Sequence, residues 1–132
     1  MSIEVVEAET EQRFRALFET PESIPVDYGQ PNFQKPSTPW CRHNVLGGID
    51  VSVEIDATSY ETSGIISVQI FTPESAPKRL SAQIYDKVAA VYRDAFFNDV
   101  HTLSPSRTVV GLSGGWWQVN CAIEWEILRI NE

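Results

Sequence analysis

Apolar side chains recur every three or four residues in two stretches of this chain and every second residue in several others. Over residues 3–18, Ile3, Val6, Thr10, Phe14, Leu17 and Phe18 share one side while Glu4, Glu7, Glu11 and Arg15 take the other. That period is the mark of an amphipathic helix, and Thr20-Pro21 is its expected end. A second helix is predicted over residues 77–97, with Leu80, Ile84, Val88, Val91, Ala95 and Phe96 on one face and Tyr85 and Tyr92 beside it. Pro77 suits its first turn, and Ser75 is a possible cap.

The period-two segments lie between and after these helices. Residues 40–46 read as a strand followed by a Gly47-Gly48 turn. Ile49, Val51, Val53 and Ile55 alternate with Asp50, Ser52, Glu54 and Asp56, a strand with one wet face. Residues 58–64 are polar and turn-prone, and Ile66, Val68 and Ile70 then alternate with Ser67, Gln69 and Phe71 before Thr72-Pro73. Residues 100–103 and 108–112 are short strands, Ser113-Gly114 is a hairpin turn, and 115–127 is the last and longest strand. There Trp117, Val119, Cys121, Ile123, Trp125 and Ile127 form one apolar face, and Trp116 heads the mainly polar one.

Short links between strands imply antiparallel pairing, with both helices on one face of the sheet. The expectation is a single α+β domain over 1–132. Its parts are a helix at about 3–19, a Pro-rich extended segment 20–39 with a short strand at 24–28, strands over 40–72, helix 77–97 and strands over 99–128. The expected core comprises Phe14, Ile66, Val68, Ile70, Ile84, Val88, Phe96, Trp117, Val119, Ile123 and Trp125.

Composition narrows the function classes. With 132 residues, 42% of them hydrophobic, the chain can bury a sizeable core. A net charge of -8 disfavours binding to nucleic acid through counterion release, and the ten basic residues are scattered. No apolar run approaches the roughly 20 residues of a membrane span. The opening "MSIEVVEAET" lacks the features of a secretory signal, so a soluble product of a reducing compartment is expected, with Cys41 and Cys121 as free buried thiols.

Candidate chemistry is sparse. Gly111-Leu112-Ser113-Gly114-Gly115 fits Gly-x-Ser-x-Gly, but the hydrolase elbow needs a following helix, and a strand follows here. "GLSGG" also lacks the Lys-Ser/Thr of a phosphate loop. Cys41 and His43 could share a strand face and meet His101 and Cys121, yet the spacing matches no zinc pattern. The 18 carboxylates show no pairing that stands out for acid–base work. The expectation is a non-enzymatic protein without metal or cofactor.

Four stretches in this order carry a resemblance: "PNFQKP" (31–36), "TSGIISVQIFTPESAP" (62–77), "AQIYDKVAAVYRDAF" (82–96) and "SGGWWQVNCAIEWEI" (113–127). Together they resemble the small tail-terminator and minor tail proteins of long-tailed phages and prophages, in the branch with lambda-like terminators. The loop "TPESAP" departs from the Gly-rich turn common there. The resemblance implies assembly, not catalysis. Such subunits form rings, typically hexamers, that cap the tail tube, stop its growth and prepare head–tail joining in the virion. The implied partners are the chain itself, the tail tube protein, a head-completion or connector protein, and DNA passing through the lumen without specific binding, with no membrane. Trp116, Phe33, Tyr60 and Phe71 are the candidate contact residues. The alternatives are another neck or head-closure protein, or a small-ligand-binding or enzymatic α+β domain.

Overall fold

A computed structural model describes residues 3–52 and 59–130, and of 48–52, 59–61 and 128–130 the backbone alone. Its spine is the antiparallel pairing of β3 (Ser59–Pro73) with β7 (Trp116–Ile130). β2 (Trp40–Ser52) pairs antiparallel with the other edge of β3, and β1 (Val26–Asp27) adds in parallel to β2. The far edge of β7 is shared: β5 (Val100–Thr102), with β4 (Phe96–Phe97) beyond it, meets residues 125–126, and β6 (Ser106–Ser113) meets 116–122. The protein is α+β: its described residues form a mostly antiparallel seven-stranded sheet with two helices.

The first helix, α1 (Ile3–Phe14), continues through a wide π turn, Arg15–Glu19, into a closing turn, Thr20–Glu22. Thr20-Pro21 therefore does not stop it. Pro21 has no N–H to donate to the helix ladder, and the wide turn shifts the ladder just before it, the Thr20 N–H bonding to the Arg15 carbonyl. The helix closes one residue later, where Ser23 turns left-handed (φ 54°) and its N–H reaches the Glu19 carbonyl at 2.9 Å.

The second helix, α2 (Lys78–Tyr92), is shorter than the 77–97 its periodicity suggests. Arg93 is extended and Asp94 takes φ 44°, so the chain turns into β4. Strand alternation then governs Phe96 and Phe97. Phe97 packs against the core, and Phe96, expected in it, is 73% exposed.

Three further expectations give way to the register. Gly47-Gly48 is not a turn but a bulge inside one continuous β2, with Gly47 at φ 99° and the pairing shifted between Gly47 and Ile49. The polar stretch from Ser59 to Gly64 is the first part of β3. The final hairpin turns at Gly114-Gly115, both at positive φ, one residue beyond Ser113-Gly114. Val53 and Ile55 lie outside the described residues.

The core fills the space between the helices and one face of the sheet. Phe14, Ile66, Val68, Ile70, Ile84, Val88, Ile123 and Trp125 are buried there, and Val119 is buried at its margin. Trp117 shares their face of β7 but is only half-buried, with Lys78 at 4.6 Å from its ring. The reason is length: fifteen residues of strand span about 50 Å, against about 22 Å for fifteen of helix, so one end of the face outruns α2. No described helix is long and apolar enough to cross a membrane.

One polar network joins the layers. The Tyr92 hydroxyl donates to the Thr10 carbonyl at 2.7 Å and so must accept from His43 Nε2, 2.8 Å away. His43 Nε2 therefore carries a proton, and buried Nδ1, with no hydrogen-bond partner among the described residues, stays unprotonated at neutral pH. Phe14 closes the network, 4.9 Å from the His43 ring and 5.9 Å from Tyr92. Burial lowers the His43 pKa to about 4.

The depressed value has a defined sign. Above the ordinary histidine pKa, His43 is neutral folded and unfolded alike. Below it the unfolded chain binds a proton that the folded one refuses until about pH 4. Stability therefore falls as pH drops through that window, by about 3 kcal/mol from this residue. Urea unfolding of the wild type and His43→Gln from pH 7 to 4 checks this. The carboxylates titrate in both proteins, and the wild type loses about that much more. Trp125→Ala should cost about 3–5 kcal/mol, and Phe96→Ala about 0.5 or less. A loss at Phe96→Ala as large as at Trp125→Ala in chemical unfolding would overturn the exposed placement of Phe96.

Candidate functional site: an aromatic and cationic cavity on the outer sheet face

The sheet's other face carries the even-numbered residues of β7, the odd-numbered residues of β3 and, up to the bulge at Gly47, the even-numbered residues of β2. Register places Trp40 opposite Phe71, Phe71 opposite Gln118, and Pro73 opposite Trp116. Trp40 and Phe71 stack at 4.3 Å, and Trp116 meets Trp40 edge-on at 6.2 Å. The Pro-rich segment supplies the remaining wall. After β1 the chain reverses in a tight turn: the Asp27 carboxylate accepts from the Gly29 N–H at 2.8 Å, and Gly29 takes φ 94°. This returns Phe33 to 5.5 Å from Trp40 and Lys35 to 4.9 Å from the Trp116 ring. The half-open hollow, about 480 Å³, is also lined by Asp27, Arg42, Ser113 and Gly114.

Three candidate contact residues, Trp116, Phe33 and Phe71, thus meet in one cavity. Tyr60 has its backbone in β3, but its side chain lies outside the described residues. Sequence reading missed Trp40, almost wholly buried at the centre, and the charged residues around it. Alternation within β2 does put Trp40 and Arg42 on one face. What no local pattern supplies is the cross-strand register that joins them to Phe71 and Trp116.

Electrostatics restrict what the cavity can take. Arg42 lies 5.2 Å from the Trp40 ring and 5.6 Å from Phe71, and Lys35 covers Trp116. The ring faces are occupied by the chain's own cations, so a ligand cation would meet repulsion where an empty cage would attract it. Arg42 donates through Nε to the Asp27 carboxylate at 3.3 Å and through a terminal nitrogen to Gln69 at 3.5 Å. Lys35 forms no ion pair among the described residues, and the Trp40 N–H has no partner there. Donors outnumber acceptors. The cavity suits an acceptor-rich, negatively charged group carried on an apolar stem.

The other chemistry-bearing residues lie apart. Cys41 and Cys121 point into the core, where burial pushes the Cys41 thiol far up and that of Cys121 to about 12. Both stay protonated and unreactive at neutral pH. His43 belongs to the buried network. His101 bridges two carboxylates, Asp94 at 2.9 Å and Glu126 at 3.0 Å, with Phe96 stacked on it at 4.2 Å. The hydrogen bond to Asp94, then that to Glu126, holds its pKa above the ordinary histidine range. No group of three or more His, Cys, Asp or Glu among the described residues is arranged to hold a metal. Ser113 ends β6 and precedes the turn into β7, so a strand follows it.

Neither protein-family models nor curated proteins give a match to this sequence. Solved structures do share the fold. One, whose name states no activity, superposes over 100% of this chain and 99% of its own with a TM-score of 0.75 at 16% identity. At that identity the likeness concerns the fold alone.

The two tryptophans of the cavity should differ in what they support. Trp40→Ala empties the centre of the cluster and should cost about 3–5 kcal/mol. Trp116→Ala removes a half-exposed wall and should cost about 1.5 kcal/mol or less. Urea unfolding ranks them; equal losses would make Trp116 a buried wedge.

Proposed function

We propose that this chain is a structural subunit of a long-tailed phage or prophage virion. It is a tail terminator or minor tail protein that closes as a ring, hexameric in the resemblance, at the head-proximal end of the tail tube. Its partners are then further copies of itself, the tube protein and the head-side connector, with DNA passing through the lumen. An acidic subunit fits that last role, because its field repels phosphate and lets DNA slide without adhering.

The observation that carries this reading is the pair of open sheet edges. Every residue of β6 is exposed or half-exposed, and Val110 and Leu112 are 53% and 56% exposed. β6 pairs only with β7 among the described residues, which leaves its second edge open. On the opposite side, β2 is covered by β1 only at Cys41 and Arg42. An exposed apolar edge is a template for strand pairing with another chain, and different edges meeting head to tail generate rings when the rotation closes.

Deleting the gene from its phage should yield tails of uncontrolled length or tails that fail to join heads, seen by electron microscopy. Supplying Leu112→Lys in trans should fail to rescue, although the isolated variant keeps the wild-type melting temperature within about 2 °C. Normal virions from the deletion strain would sink the reading.

A further inference from the structure

The outer face of the sheet has two ends of opposite chemistry. One is the aromatic cavity, where Lys35 and Arg42 face a single carboxylate, Asp27. Six residues along the strands, about 20 Å away, the rows reach Leu46, Ile65 and Glu124. There Leu46 and Ile65 are 54% and 41% exposed; both line, with Leu103, a hollow of about 420 Å³, and Ile65 and Leu103 also line an adjoining one of about 430 Å³. Glu124 lines both hollows and has no ion-pair partner among the described residues. Glu126 stands at the margin of one. Polar, uncharged side chains, Ser67, Gln69 and Asn120, separate the two ends.

We propose that this face carries two complementary docking ends whose occupant is a second copy of this chain, the aromatic and cationic end of one copy seating on the aliphatic and acidic end of the next. The cavity has surplus donors and apolar walls, and the far end offers an unpaired carboxylate flanked by exposed aliphatic side chains. Each end supplies what the other lacks. Apolar residues gathered at a sheet face and rimmed by charge mark an interaction surface. A nucleic acid would also offer anions, but a chain of net charge -8 repels it. The choice of a second copy as occupant rests on the assembly reading above.

Charge exchange tests the surface. Sedimentation velocity over a range of concentrations should show wild-type self-association that weakens with added salt. Lys35→Glu and Glu124→Lys should each weaken it about tenfold or more, because like charges then face each other. An equimolar mixture of the two variants, or the doubly substituted chain, should recover the wild-type affinity. Total charge cannot mimic this pattern: Lys35→Glu takes the chain from -8 to -10, and Glu124→Lys takes it from -8 to -6. If net repulsion governed association, the second variant would bind more tightly. Both side chains are exposed, so circular dichroism and melting should match the wild type. Wild-type-like association of either single variant, no recovery on mixing, or a wild-type chain that stays monomeric throughout would each overturn the surface. Failure of the assembly reading shows separately, as normal virions from the gene deletion.

Discussion

The structure depends on one close approach in the middle of the sheet, where the Trp125 ring lies on Gly64. A Cβ at Gly64 would come within 2.7 Å of that ring and would also collide with the Leu46 carbonyl. Gly47, paired with Gly64 in the next strand, is under the same restriction, since its Cβ would sit 2.6 Å from the Gly64 Cα. Two glycines side by side therefore make a notch across β2 and β3 that only a large flat side chain from β7 fills. A slip of one residue would put the indole on Ser63 or Ile65 and invert every side chain of β7. The rows that build the outer cavity, Trp40 with Phe71 and Pro73 with Trp116, follow from this register.

The helices are tied to that sheet by polarity as well as by apolar contact. Tyr92 from α2 reaches the Thr10 carbonyl of α1 and the His43 ring of β2, so three elements share two hydrogen bonds in a dry interior. Leaving any of these groups unpaired costs about 1–3 kcal/mol, which disfavours other helix positions beyond what packing alone does. A second tie, Arg13 donating to the Val91 carbonyl at 2.8 Å, crosses the same helix pair. The helices cover the middle of one face and leave the long strands uncovered beyond it. Trp117 at one end and the exposed strand β6 are the result.

Much of this was legible in the chain itself. Both helices and the alternation of β3 and β7 are written in short-range periodicity, because burial on one side selects apolar residues at the period of the element. The helix end at Tyr92 was not legible: Ala95 and Phe96 continue the helical spacing, and the left-handed Asp94 that breaks it has no strong local signature. Gly47-Gly48 reads as a turn because a glycine needed for a bulge and for close packing looks the same as one needed to reverse the chain. The cavity was legible only in fragments. Trp116, Phe33 and Phe71 stood out singly as aromatic residues on polar segments, while Trp40, Lys35 and Arg42 gain their meaning only from a register that spans the whole sheet.

The turn of the Pro-rich segment, set on that register, places an exposed cation beside Trp116 with no ion pair among the described residues. An ammonium over an indole gains about 0.5–1 kcal/mol at a solvent-exposed site, enough to bias where Lys35 rests but not to satisfy its donors. Arg42 is held more firmly, by Asp27, Gln69 and two ring faces, so it acts as a fixed wall. One cation is thus anchored and the other is merely seated. Arg42 lies against both rings of the stack, and Lys35 keeps its ammonium donors free of any ion pair among the described residues. A surface needed only for solubility would gain nothing from this division, because any lysine in water serves. An aromatic floor with an unpaired cation above it instead favours recognition of an anion borne on an apolar stem, the chemistry present at the opposite end of the same face.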